Sequence, residues 1–297
     1  MSTDYNAKYM PVNHLILDTE ITVTPTPPAL FPKEYLQSYA HSEVVQGGAD
    51  PSYPTPPYTA VPDLVIDFNW PNGLKRVSGI NIHFHNLTAG GTGTLQLYDS
   101  QNRTGVKIYD SGAVGMLQYK TLGELDWCID DLVAIKEYDT GIGQNKFWYF
   151  GVKRARSGRI TISNPTNTNG YILAGHIFLG EHFTTETNIQ YDSIVTPTDT
   201  TTHALRADGT TSATKGTQTV DLGFEYMGLT EQDINQILSK LVYVNYSHTA
   251  FFVDLFPLGD VLRNSLHSGV FFFSPPPPSA KTIHGNLNST PMELRRS

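Results

Sequence analysis

Residues 80–85 read Ile-Asn-Ile-His-Phe-His, and this alternation most constrains what the chain can fold into. Successive side chains of a strand point to opposite faces. Ile80, Ile82 and Phe84 therefore face one way, and Asn81, His83 and His85 the other. That is the pattern of a half-buried strand. Leu95 and Leu97 repeat it after the glycine-rich turn 89–93, and residues 106–109 repeat it again. Further β-rich runs lie at 64–68, 147–152, 159–162 and 171–179, with Gly, Asn and Pro between them. Strands at this spacing, punctuated by turn residues, predict a sandwich.

Composition agrees. Charged residues make up 16% of the 297 residues, against about a quarter in ordinary soluble domains. Thr, Ser, Asn, Gly, Pro and Tyr take their place, which suits strands and turns better than long solvated helices. Low charge also suits surfaces covered by neighbouring subunits.

The flanks read differently. Residues 12–17 and 21–24 predict strands, 34–43 a short helix, and the prolines from Pro25 to Pro57 extended loops or edges. Residues 184–218 are Thr-rich and read as a linker or long loop. A strand at 220–226 precedes the one clear helix, 231–240. Thr230 caps it, Asp233 sits at the reciprocal capping position, and Ile234, Ile237, Leu238 and Leu241 form one stripe. Strands are expected at 242–246, 251–256 and 270–273, then a stiff polyproline segment at 275–278. The organisation expected is an N-terminal arm (1–12), a jelly-roll β-sandwich (13–183), the linker (184–218), a small α+β unit (219–274) and a C-terminal arm (275–297).

Several functions are disfavoured. The net charge of −8 argues against nucleic acid as a partner, and the densest basic stretch, Lys153, Arg154, Arg156 and Arg159, reads as a strand-to-turn surface. Cys128, the single cysteine, allows no intrachain disulfide and reads as a structural thiol. No stretch reaches the roughly 18 apolar residues of a membrane helix, and the first residues lack a signal-peptide layout. Membrane insertion is not expected.

Three groups bear on chemistry. His83 and His85 project from one face and could share a metal, but no third ligand is marked locally. Asp63 and Asp67, like Asp18 and Glu20, flank a strand. A glycosidase needs carboxylates facing across a cleft, which sequence does not show, so they read as solvated or turn-forming groups. The run Phe147-Trp148-Tyr149-Phe150 could stack on sugar rings, though alternation must put half of it in the core. Matches to the glycosylation pattern at Asn86, Asn102, Asn245 and Asn288 read as incidental. No catalytic residue, cofactor or metal is assigned, and no enzymatic activity is expected.

Some segments carry a family likeness. Asp67-Phe68, Val77 and the run from Ile80 to Thr88 resemble the central strand and turn of a discoidin-like jelly roll. Tyr109-Asp110-Ser111-Gly112 is similar to a Tyr-Asp-Ser-Gly element of bacteriophage tail proteins. Asn164-Pro165, followed by the run Asn169 to Gly180, resembles an Asn-Pro … Gly-Tyr-Ile … Phe-Leu-Gly run of phage virion proteins, as does Gly228-Leu229-Thr230-Glu231 opening a helix. His176 stands where that family more often has Arg, so an ion pair at that position is not carried over.

The resemblance covers roughly residues 13–260. It implies a mainly-β fold, a discoidin-like jelly-roll sandwich plus a small α+β unit with extended arms. It also implies a structural component of a bacteriophage virion, at the tail tip or baseplate, made in the bacterial cytoplasm. Its partners would be tail tube, hub or fibre proteins and copies of itself in a symmetric ring, with segments 5–11 and 270–283 as contacts. The alternative is a carbohydrate-binding module touching host-surface glycan, because discoidin-like folds often bind sugars.

Overall fold

A computed structural model describes residues 6–16, 19–28, 30, 32–37, 45–48, 61–84, 86–88, 90–116, 145–167, 169–189, 193–199, 202–205, 211–214, 218–245, 249–257, 267–274, 281–283 and 287–296. The described residues are mainly β, in antiparallel sheets, with a short helical segment at 231–245 and two 3₁₀ turns. It divides into two compact units, Val12–His182 and a discontinuous unit of Met1–Pro11 with Phe183–Ser297.

The first strand, β1 (Lys8–Met10), belongs to the discontinuous unit. The Val12–His182 unit follows. Its strands are β2 (Glu20–Thr24), β3 (Val45–Gly48), β4 (Leu64–Asn69), β5 (Lys75–Phe84), β6 (Thr92–Tyr98), β7 (Lys107–Asp110), β8 (Val114–Gly115), β9 (Asn145–Ala155), β10 (Ser157–Ser163) and β11 (Tyr171–Gly180). They form two sheets. One runs β2-β4-β10-β6-β7, with β8 also on β6, and the other runs β3-β11-β5-β9. One apolar core takes side chains from both: Leu64, Ile66, Leu95, Leu97, Ile160 and Ile162 from the first, and Val77, Ile80, Ile82, Ile172, Ile177 and Leu179 from the second. This is the expected sandwich, with Ile80 and Ile82 facing inward, but β5 is not half-buried as expected: Asn81 and His83 on its other face, and Ser78, are buried as well.

Residues 12–17 do not form the expected strand; the described part turns at His14–Ile16. The buried Asn13 side chain explains it. Its Oδ1 accepts from Leu15 N and Leu179 N, both at 3.1 Å, and its Nδ2 donates to Ile177 O at 2.8 Å. An Asn that supplies the bonds of a turn competes with the strand ladder. The expected helix at 34–43 is a 3₁₀ turn, Lys33–Gln37, in its described part.

The discontinuous unit continues with β12 (Phe183–Thr184), β13 (Ile194–Asp199), β14 (Thr202–Leu205), β15 (Thr211–Thr214) and β16 (Gln218–Leu229). Helix α1 (Glu231–Gln236), a π-helical stretch (Ile237–Val242) and helix α2 (Tyr243–Asn245) come next. Strands β17 (Phe251–Asp254), β18 (Ser268–Phe273), β19 (Lys281–Ile283) and β20 (Leu287–Arg296) complete it. Its main sheet runs β12-β1-β17-β18-β20-β16-β13, with β19 on β20.

Four expectations are corrected here. The described parts of the expected arms are sheet strands: β1 lies between β12 and β17, and β20 lies between β18 and β16. Residues 184–218 are not a plain linker, since β13 pairs β16 and β14 pairs β15. Residues 242–246 are helical in their described part; Leu241 and Val242 are buried as the end of a helical stripe, which a short apolar run cannot distinguish from a strand. Asp233 does not reciprocate the cap. Thr230 Oγ1 accepts from Asp233 N at 3.1 Å as expected, but the buried Asp233 carboxylate accepts from Glu186 N and Thr187 N, at 2.8 and 3.2 Å. Residues 275–278 lie outside the described residues.

Candidate functional site

Period two leaves one face of β4, β6 and β10 outside the core, and register aligns what stands on it. Thr22, Asp67, Arg159, Gln96 and Asp110 are successive partners across β2, β4, β10, β6 and β7. Two residues along, Glu20, Asn69, Ser157, Tyr98 and Lys107 form a second row. Both rows are polar across five strands, over a core that is apolar at the positions between.

Several side chains within and between the rows are bonded to each other. Arg159 grips Asp67 with two parallel bonds, Nε to Oδ1 at 2.7 Å and Nη2 to Oδ2 at 2.8 Å. A second guanidinium, Arg103, donates from Nη2 to Asp67 Oδ2 at 3.0 Å. Gln96 Nε2 donates to Asp110 Oδ2 at 3.1 Å, Tyr98 OH to Gln96 Oε1 at 3.3 Å, and Asn69 Nδ2 to Glu20 Oε2 at 3.0 Å. Lys107 Nζ reaches Asp110 Oδ2 at 2.5 Å. The pair moves both groups: the Lys107 bond, followed by the Gly112 N–H, holds the Asp110 carboxyl below the usual range, and the Asp110 bond pushes the Lys107 ammonium up. The Asp67 bonds push the Arg159 guanidinium up in the same way.

Arg103 comes from the 3₁₀ turn Gln101–Arg103 between β6 and β7. Asn102 and Arg103 have φ of +53° and +59°, the left-handed region that side chains other than glycine seldom adopt. Such backbone persists where its surroundings over-determine it. Here Asn102 N donates to Asn69 Oδ1 at 3.3 Å and Arg103 N to Ser157 Oγ at 3.0 Å, while Ser157 Oγ donates to Ser100 O at 2.6 Å. The second row thus fixes the turn that delivers Arg103 to the first. The three ion-pair side chains stay partly open, at 29% for Arg103, 34% for Arg159 and 23% for Asp67.

The residues singled out from sequence are distributed otherwise. Asp67 is at the centre of this face, but bound by two guanidiniums; Asp63 is exposed, and the two form no catalytic pair. Glu20 stands in the second row, and Asp18 lies outside the described residues. His83 Nδ1 meets Asn145 Oδ1 at 3.1 Å, and its ring stacks on His176 with centroids 5.4 Å apart. His85 and Cys128 lie outside the described residues. Among the described residues no group of three His, Cys, Asp or Glu could hold a metal ion. No described helix is long and apolar enough to cross a membrane.

The aromatic run splits by alternation. Trp148 and Phe150 pack on the sandwich core, and Phe150 stacks on Tyr109 at 4.1 Å. Phe147 and Tyr149 form a tilted pair, 5.9 Å apart, and Tyr149 lies 4.8 Å from His182. The likeness motifs are turn devices. Asn86 Nδ2 donates to Tyr171 O at 2.8 Å and its Oδ1 accepts from Leu173 N at 2.6 Å, while Asn164 and Thr88 bond through their side chains. Gly112 takes φ +64° beside Ser111, whose Oγ accepts from Leu95 N. Arg103 and the row partners Gln96 and Tyr98 were not singled out from sequence, and Asp110 only as part of the Tyr109–Gly112 likeness element. The signal available for them was polar residues at alternate positions of β4, β6 and β10.

No family model matches the chain, and no curated protein matches it. Among solved structures, chitosan-binding module 1 of a chitosanase/glucanase from Paenibacillus sp. IK-5 is 11% identical, covering 57% of this chain and 99% of that one, with a TM-score of 0.37. The family 32 carbohydrate-binding module of NanJ from C. perfringens, in complex with galactose, is 11% identical over 59% of this chain and 99% of its own, with a TM-score of 0.36. The corresponding module of AlyQ, in complex with 4,5-unsaturated mannuronic acid, is 12% identical over 57% and 97%, with a TM-score of 0.34. At such low identity and score, these likenesses carry nothing about this chain's own ligand.

Proposed function

We propose that the Val12–His182 unit is a non-catalytic carbohydrate-binding module whose contact surface is the two-row polar face of β2, β4, β10, β6 and β7. The observation that carries this reading is the Arg159–Asp67–Arg103 cluster, held partly open on a rigid sheet by bonds at every joint. A guanidinium is a planar, directional array of N–H donors, to which oxygen acceptors of a sugar could bond. A partner already fixed costs little ordering entropy on binding. Sheet positions hold such groups more tightly than loops do.

The virion role implied by the sequence resemblance keeps that resemblance alone as its support. Of the segments expected to act as assembly arms, residues 8–10 and 268–273 are strands inside a sheet, and Tyr9, Met10, Val270 and Phe271 are buried.

A glycan array probed with the full chain tests the proposal. Selective, competable binding that is lost in Arg159→Gln is the expected result. An array with no bound glycan, or binding indifferent to Arg159, contradicts it.

A further inference from the structure

The polar face is unequal in what it offers a ligand. Two guanidiniums carry about ten N–H donors between them. Three of these are spent on Asp67, at both of its oxygens. The carboxylate and amide acceptors each already hold at least one partner. Asp110 takes Lys107, Gln96 and the Gly112 N–H; Glu20 takes Asn69; Asn69 Oδ1 takes Asn102 N; Gln96 Oε1 takes Tyr98. What remains directed at solvent is a surplus of charged donors on Arg103 and Arg159, with Lys107, 45% exposed, two rows of strand away. A neutral sugar, which both donates and accepts at each hydroxyl, would have to share carboxylate and amide oxygens that already hold a partner. A group made only of acceptors would find matching donors.

We infer that the sugar this face selects is an acidic one, whose carboxylate or sulfate ester docks on the paired guanidiniums of Arg103 and Arg159. This rests on the carbohydrate-binding reading and goes beyond it by naming the substrate class. The Asp67 carboxylate then acts as a positioning residue. It holds the two guanidiniums on one carboxylate and cancels part of their charge. The chain's overall charge of −8 gives no general attraction for anions, so selection must come from this local arrangement. Arg103 is the specificity-determining member, because its place depends on the left-handed turn and on Ser157 and Asn69 beneath it.

The test is calorimetric titration of the full chain with three probes: an oligogalacturonate, the same oligosaccharide with its carboxyls reduced to alcohols, and a sulfated neutral oligosaccharide. The expected result is binding of the first or third at least about tenfold tighter than the reduced form, in line with the loss of a charged hydrogen bond. That preference weakens as ionic strength rises. Carboxylate and sulfate arms tell the two acid chemistries apart. Arg103→Gln is expected to remove the preference, and Ser157→Ala to weaken it through the turn, with unchanged melting checked for each. Arg76→Gln, on a surface ion pair elsewhere, serves as the control that keeps it. If the reduced oligosaccharide binds as well as the acid, the acidic-sugar inference falls and the carbohydrate-binding reading stands. If Arg103→Gln retains the preference in a folded protein, the assignment to this face falls. If glycans of neither kind bind, both readings fall.

Discussion

The β4, β6 and β10 strands of one unit and the β17–β18 pair of the other are buried in opposite ways. In the Val12–His182 unit, β4, β6 and β10 alternate between core and partly open positions. In the discontinuous unit, β17 is buried at every position and β18 at all but one. An alternating strand keeps one row of side chains available for chemistry, and the polar rows around Asp67 use that freedom. A strand buried throughout spends its side chains on packing: Tyr9, Phe251, Phe271, Phe273 and Tyr226 belong to one apolar cluster. Even its polar groups are turned inward. Tyr9 and Tyr226 share a hydroxyl–hydroxyl bond of 2.5 Å, and burial pushes both phenols well above their ordinary range. The chain's connectivity differs in parallel, since the contiguous unit carries the open face and the packed unit is sewn from both ends of the sequence.

The sharpest way to break this comparison is to remove residues 287–297. That deletes β20, the partner of β16, β18 and β19. Hydrogen exchange should then show lost protection in β16 and β18 with β4, β6 and β10 still protected; uniform protection would mean that the terminus is the dispensable arm expected from sequence. Next in size is Gly158→Ala in the contiguous unit. A Cβ there would lie 2.3 Å from Phe68 Cζ and 2.7 Å from the Gln96 carbonyl, closer than atoms pack. Overpacking of this kind costs about 1–3 kcal/mol, measurable by urea denaturation. Thr230→Ala removes the cap of α1 and should cost about 1 kcal/mol in the discontinuous unit. The smallest effect belongs to Arg76→Ala. Arg76 pairs with Glu181 at 2.6 Å, but half of its side chain is exposed. Solvent screening should keep the change in thermal stability within about 0.5 kcal/mol.

The sandwich was legible in the sequence because its strands alternate. Ile80 and Ile82, Leu95 and Leu97, and Ile160 and Ile162 announce one buried face each, and the core holds them all. The discontinuous unit was legible strand by strand, at 220–226, 251–256 and 270–273, but not as one sheet, because β1 joins strands more than 170 residues away and β13 and β20 read as a linker and an arm. Residues 242–246 failed because a short apolar run fits a helix end as well as a strand. The candidate site was legible only in part. Asp67 and Glu20 stood out as carboxylates, and Arg159 within a basic stretch, but their meeting depends on register between strands that sequence does not fix. Arg103 was hidden altogether, since its position follows from a left-handed turn held by Asn69 and Ser157.

The most direct test of carbohydrate recognition on the open face is chemical-shift mapping of the isotope-labelled full chain titrated with oligogalacturonate. Saturable shifts should centre on the amides of Asp67, Gln96 and Arg159 and on residues 101–104, with β17 and β18 unmoved. Saturable shifts that avoid those residues, or a spectrum unchanged at millimolar ligand, would contradict the account.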